Sequence, residues 1–275
     1  MTLTSKTMTR RRMIAISAGF AGLGGAAALN QLRLGRQGVP GQTVIHEWRG
    51  IALGAETSIK LAHEDRNEAV AVLSRCRTEI DRLEDIFSLY RPGSEIVRLN
   101  ADGELKGASI DFERCLEEAR RVSAMTDGAF DITVAPLWDL YAQGGTIAAG
   151  RVEEIRSTID YRSVHLDPGR VAFEKDRMAI TLNGIAQGYI TDRIAGLLRE
   201  YGYSNSLVSL GEFRALEAPE PGSPWKVGID DPETQGHEIA LENAALATSS
   251  APSNPSSPFP PSFPARTDPP GSRSG

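Results

Sequence analysis

The chain has 275 residues, 40% hydrophobic and 24% charged, with 30 Lys and Arg against 36 Asp and Glu. That is enough apolar material for a sizeable core, and the net charge of −6 excludes the basic balance that nucleic-acid binding needs. Cys76 and Cys115 stand in helical-looking stretches without a CxxC pattern or a histidine at metal-ligand spacing, and they read as buried thiols.

In chain order, residues 1–30 read as an export signal. Arg10-Arg11-Arg12 precede a weakly apolar, Gly- and Ala-rich run from Met13 to Leu29, and Ala26, Ala27 and Ala28 supply a small-residue cleavage site. The paired arginines point to the twin-arginine route and to the periplasm. Residues 31–42 read as a linker and residues 251–275, dominated by Pro and Ser, as a disordered tail. Between them, residues 43–250 form one domain.

Within that domain, strand patterns run from Val44 to Trp48 and from Ile51 to Leu61 around Gly54. Apolar residues Val70, Leu73, Ile80, Leu83 and Ile86 predict a long amphipathic helix over 66–87, and a turn at 90–96 leads into a second short helix. Asp111 to Thr126 is again helical and stops at Asp127-Gly128. Pro168-Gly169 joins two short strands as a hairpin, Met178 to Leu182 reads as another strand, and Gly184 to Tyr201 as a helix entered through a Gly-rich turn. Further strands are predicted at 207–211 and 225–229. Strands interleaved with long helices, without a regular βαβ rhythm, place the chain in the α+β class.

Three stretches carry groups suited to a ligand. In Gly128-Ala129-Phe130-Asp131-Ile132-Thr133, an aromatic face and polar groups follow a glycine, as a planar heterocycle would require; a helix cap followed by a core strand is the plainer reading. Asn183-Gly184-Ile185-Ala186-Gln187-Gly188 is a strand-to-helix turn of the kind that binds phosphate, though it fits neither GxGxxG nor the P-loop pattern, and structural use is as good a reading. Tyr90, Ser94, Glu95 and Asn100 form a polar turn that touches a ligand or caps a helix. His46, His63, His165 and His237 show no metal-ligand spacing.

Taken together and in order, these stretches resemble the ApbE family of FAD:protein FMN transferases. The resemblance runs over Ala52-Leu53-Gly54-Ala55-Glu56-Thr57, residues 87–96, residues 128–137, residues 182–192, residues 205–211, residues 225–232 and Ala247-Thr248-Ser249. The form Asn183-Gly184-Ile185-Ala186-Gln187-Gly188-Tyr189, with the arginine leader, is most similar to NosX-like members that serve nitrous oxide reduction. The resemblance implies an α+β fold related to the T-fold, a mixed sheet with packed helices. It also implies FAD as substrate, Mg2+, and transfer of FMN to a threonine of a membrane-bound flavoprotein. By matching position it implies Leu53, Tyr90, Ala129, Phe130 and Asp131 along the flavin and adenine sites, Asn183, Gln187 and Asp192 near the nucleotide, and the Ala186 carbonyl as a magnesium ligand.

Two departures qualify it. Gln187 stands where most relatives carry Lys, and after residue 250 the Pro- and Ser-rich tail replaces the family's His-Ile-x-Asp-Pro segment and its later metal ligands. The domain is therefore expected to lack its C-terminal part, the tail reads as a shifted frame, and FMN transfer is expected to be weak.

Overall fold

The computed structural model describes residues 31–33, 42–142, 148–229 and 237–247. The expected export signal, most of the expected linker and the Pro- and Ser-rich tail lie outside the described residues.

The chain opens with β1 (Gln31–Arg33), β2 (Val44–Ala52) and β3 (Ala55–His63). β1 pairs antiparallel with β2, so the start of the expected linker is a strand. Helix α1 (Arg66–Phe87) begins where the Asp65 side chain accepts from Asn67 N–H and Glu68 N–H, satisfying two donors of the first turn. Its buried stripe includes Leu73, Cys76, Ile80, Leu83 and Phe87. Next come α2 (Glu95–Asp102), β4 (Glu104–Lys106) and α3 (Ile110–Met125). At the end of α3, Gly128 N–H returns to the Ser123 carbonyl at 2.8 Å and Asp127 N–H to that of Ala124 at 3.3 Å. This Schellman cap places Asp127 and Gly128 in the left-handed region.

A 3-10 turn (Ile132–Val134) then leads to α4 (Ala135–Ala142) and α5 (Ala149–Arg156). A helix thus follows the cap at 128, in place of a core strand. The hairpin of β5 (Val164–Asp167) and β6 (Arg170–Phe173) turns at Pro168-Gly169 as expected. Residues 178–182 are not a ladder strand. Their neighbours are a helix and a loop, and Asn100 does a strand's work: its amide donates to the Ile180 carbonyl at 2.9 Å and accepts Ile180 N–H at 2.8 Å. Helix α6 (Ala186–Glu200) follows, then β7 (Ser206–Ser209), β8 (Phe213–Ala215), β9 (Trp225–Ile229), β10 (His237–Leu241) and β11 (Ala244–Leu246).

The main sheet has six strands in the order β1-β2-β3-β7-β8-β11. The α+β class holds. Where a mixed sheet was expected, every named ladder among the described residues is antiparallel, because hairpins join β2 to β3 and β7 to β8, and β7 comes back against β3 in the reverse direction. One face, carrying Trp48, Ile59, Leu61 and Val208, forms the main core with α1, α3 and α6. On the other, the β9–β10 hairpin seats Trp225, Val227 and Leu241 over Leu207 and Ala215. Strand β7 is therefore covered on both faces, which explains its uninterrupted burial from Ser206 to Val208.

Candidate functional site

The β2–β3 hairpin turns through Leu53 (φ 50°) and Gly54 (φ 77°), the paired positive angles of a two-residue turn that follows strand twist. A branched-at-γ side chain such as Leu53 is costly in that region, and the turn is held from outside: Leu53 N–H donates to Glu84 Oε1 at 2.8 Å. The other oxygen of Glu84 accepts from Arg91 Nη2 at 2.5 Å, and Arg91 also reaches Asp85 at 2.7 Å and Asp81 at 3.2 Å. Burial works against the charge on Arg91, but these carboxylates outweigh it and hold its pKa above the usual value. Tyr90, 56% exposed, lies beside the turn; a methyl group built on Gly54 would come within 3.2 Å of its ring. Leu53 and Tyr90, distant in sequence, are brought together.

Thr126 caps the second stretch, its hydroxyl accepting Phe130 N–H at 3.1 Å. Ala129 is exposed and Phe130 half-buried. The Phe130 ring edge lies against Gly184, where a methyl group would come within 3.1 Å. The same two segments are tied by Thr181 N–H to the Ile132 carbonyl at 2.8 Å. The turn at 128–131 and the turn at 183–192 therefore meet. Asp131 itself is turned to structure: Oδ1 accepts from Thr133 N–H at 2.8 Å and the Thr133 hydroxyl at 2.6 Å, and Oδ2 accepts from Tyr161 N–H at 3.1 Å.

In the third stretch Asn183 is exposed, and Ala186 N–H closes onto the Leu182 carbonyl at 2.7 Å to start α6. The Ile185 N-cap position supplies no side-chain cap. Gln187 lies over the β7–β8 turn, its amide only 2.6 Å from where a methyl group on Gly211 would sit. Gly211 has φ 95°, so a residue with a side chain there meets both strain and a clash. Asp192 is largely exposed, with Arg214 Nε at 3.7 Å. The first and third stretches connect through the Phe87 and Tyr189 rings, 5.5 Å apart and edge to face. Ser94 caps α2 and donates to the Ser88 carbonyl at 2.7 Å, Glu95 accepts Ser109 N–H at 2.9 Å, and Asn100 braces residues 178–182. Those three residues take the capping and bracing role.

Arg91, Gly211 and Tyr189 fall within the matched stretches, but their roles, like those of Glu84, Arg214 and Asp111, were not read from the sequence. Tyr189 donates to Asp111 Oδ1 at 2.7 Å, and Arg82 donates to Oδ2 at 2.6 Å. Burial chiefly, then that bond, pushes the Tyr189 pKa up; on Asp111 burial pushes upward, but Tyr189 and Arg82 prevail and hold it below the usual carboxylate range. Glu84 had a legible signal. It falls four residues after Ile80 and three before Phe87, both buried, so a charge stands at the edge of the apolar stripe.

Among the described residues no group of three His, Cys, Asp or Glu is placed to hold a metal, and the Ala186 carbonyl lies in the first turn of α6. Tyr90 and Phe130 each lie beside a glycine of a turn, Gly54 and Gly184.

Residues 53–254 match the ApbE family. Two curated proteins named FAD:protein FMN transferase are similar. The one from Haemophilus influenzae is 26% identical over 231 residues, covering 76% of this chain and 66% of that protein. The one from Vibrio cholerae is 28% identical over 203 residues, covering 69% and 60%. The chain thus spans less than two thirds of the length of these relatives. Among solved structures, the flavin transferase ApbE from Vibrio cholerae superposes with a TM-score of 0.66 at 23% identity, covering 76% of this chain and 72% of that one. The ApbE protein from Thermotoga maritima gives 0.65 at 26% identity, covering 76% and 71%. With the family match covering well over half of its length, the chain belongs to the ApbE family.

Proposed function

We propose that the chain is an FAD:protein FMN transferase by descent, binding FAD and passing FMN to a threonine of a partner flavoprotein. The observation that carries this reading is the contact of Phe130 with Gly184, which joins an aromatic face to the glycine-rich entry of α6. In the reaction the threonine hydroxyl oxygen bonds to the flavin-side phosphorus and loses its proton, while the bond to the second phosphate breaks and AMP leaves with the electron pair. This chain's residues would bind and orient the dinucleotide, and magnesium, when bound, would neutralise the pyrophosphate charge. Within the same reading, the form of residues 183–189 and the arginine-rich leader support a NosX-like member, exported to the periplasm by the twin-arginine route. Its acceptor would be a membrane-bound flavoprotein of nitrous oxide respiration.

A second reading, FAD binding without turnover, is favoured by Asp131, whose two oxygens are bonded to Thr133 and to Tyr161 N–H. One experiment separates the two. The chain is incubated with FAD, Mg2+ and an acceptor domain, and AMP release and acceptor mass are followed. Release of AMP with an FMN-sized mass gain on the acceptor supports transfer. Stoichiometric FAD uptake without AMP supports the binding role, and neither uptake nor transfer refutes both.

A further inference from the structure

We infer that Glu84 is a positioning residue for the flavin dinucleotide, acting through the backbone of Leu53. The inference rests on the FAD reading above. Leu53 turns through a left-handed angle, and at the hairpin tip the flanking ladder supplies no partner for its N–H; the partner is a carboxylate from another element, Glu84 Oε1 at 2.8 Å. That carboxylate is only 12% exposed on its side chain, and its second oxygen is gripped by Arg91, which follows Tyr90 directly. Arg91, and with it the loop that carries the Tyr90 ring, is also held by Asp85 and Asp81, whereas the N–H of the Leu53-Gly54 turn rests on Glu84. The ring and the turn touch at Gly54. A ligand inserted between or across them meets a surface whose shape Glu84 sets. Glu84 makes this contact from the solvent edge of α1, where the helix does not need it: the helix's own N-cap is Asp65, and its buried stripe is apolar. A charged acceptor at 2.8 Å on a backbone N–H is among the stronger local restraints available to a turn.

The two bonds of Glu84 are separable by conservative substitution. Glu84→Gln keeps an oxygen that can accept Leu53 N–H but removes the charge that Arg91 pairs with. Glu84→Asp keeps the charge for Arg91 but ends one methylene short of Leu53. Each full-length variant is compared with the unaltered chain for FAD affinity, by quenching of flavin fluorescence, and for melting temperature. The expected result is a crossing of the two orders: Glu84→Gln is the less stable variant yet binds FAD within about threefold of the unaltered chain, whereas Glu84→Asp melts higher but loses about tenfold in affinity. A side chain that only stabilised the fold would give the same order in both measurements. Glu84→Asp binding FAD as well as the unaltered chain, or affinity following melting temperature across the variants, overturns the inference while leaving the FAD reading standing. If the unaltered chain itself leaves flavin fluorescence unchanged, the FAD reading fails and this inference falls with it.

Discussion

The ring of Phe130 rests against Gly184, so closely that a single methyl group on Gly184 would lie 3.1 Å from it. Fifty-four positions of sequence separate them, yet the contact makes one surface out of the loop after α3 and the entry to α6, with Thr181 N–H on the Ile132 carbonyl as the backbone tie.

That contact gives the first prediction. Phe130→Ala removes the aromatic face and is expected to weaken FAD binding by roughly three- to tenfold, the range of an aromatic pair beyond its buried area. Isothermal titration of the folded variant checks it. Unchanged affinity would mean that the ring serves packing alone.

Gly54 is a stability prediction. Its φ of 77° lies in the left-handed region, and an added methyl group would press on Tyr90. Gly54→Ala is expected to cost about 1–2 kcal/mol, the penalty of left-handed backbone for a residue with Cβ. Urea unfolding measures it, and a variant as stable as the unaltered chain would show that the turn relaxes to another type.

Asn100 braces the segment before the Gly-rich turn with two bonds to Ile180. Asn100→Ala leaves a backbone N–H and a carbonyl without these partners and is expected to destabilise the chain by about 1–3 kcal/mol. Hydrogen exchange at Ile180 should rise in step. Protection retained at Ile180 would refute the brace.

His46 links stability to pH. It is 1% exposed, its Nε2–H donates to the His63 carbonyl at 3.3 Å, and its buried Nδ1 has no hydrogen-bond partner among the described residues. Burial above all pushes its pKa below the ordinary histidine value, with the charges of His63 and Arg66 acting the same way and the His63 carbonyl and Asp65 opposing. Because the folded pKa is depressed and the neutral form is the one the fold holds, its contribution is full above the unfolded value of about 6.5 and is lost as pH falls through the folded value. Melting temperature is expected to drop on acidification from neutral pH, and His46→Leu is expected to flatten that slope. Parallel pH profiles for the two chains would remove His46 as the cause.

Much of the local structure was legible. The span of α1 is set by Asp65 before it, an unbroken apolar stripe within it and Ser88 after it, all features of neighbouring residues. The β5–β6 hairpin is announced by Pro168-Gly169 in the same way. Residues 178–182 misled because alternation and β-propensity describe an extended backbone, and an extended backbone needs partners without specifying a strand; Asn100 supplied them. The short strands β4, β8 and β11 are three residues each, too short for any periodicity to register. Asp131 was placed along the ligand site by its matching position in the family; that its oxygens cap the turn at Thr133 and reach Tyr161 thirty residues on was not legible, because Tyr161 comes from another element.

By itself, then, the sequence determined the helices α1, α2, α3 and α6, the hairpin turn at Pro168-Gly169, the α+β class and the order of stretches that marks the family, because each depends on side chains within a few positions of one another or on their succession along the chain. Only the tertiary structure decided that Leu53 leans on Glu84, that Phe130 meets Gly184 and that Gln187 lies over Gly211. Such contacts join residues from separate elements, and their partners are selected by sheet register and helix packing, which no local pattern encodes.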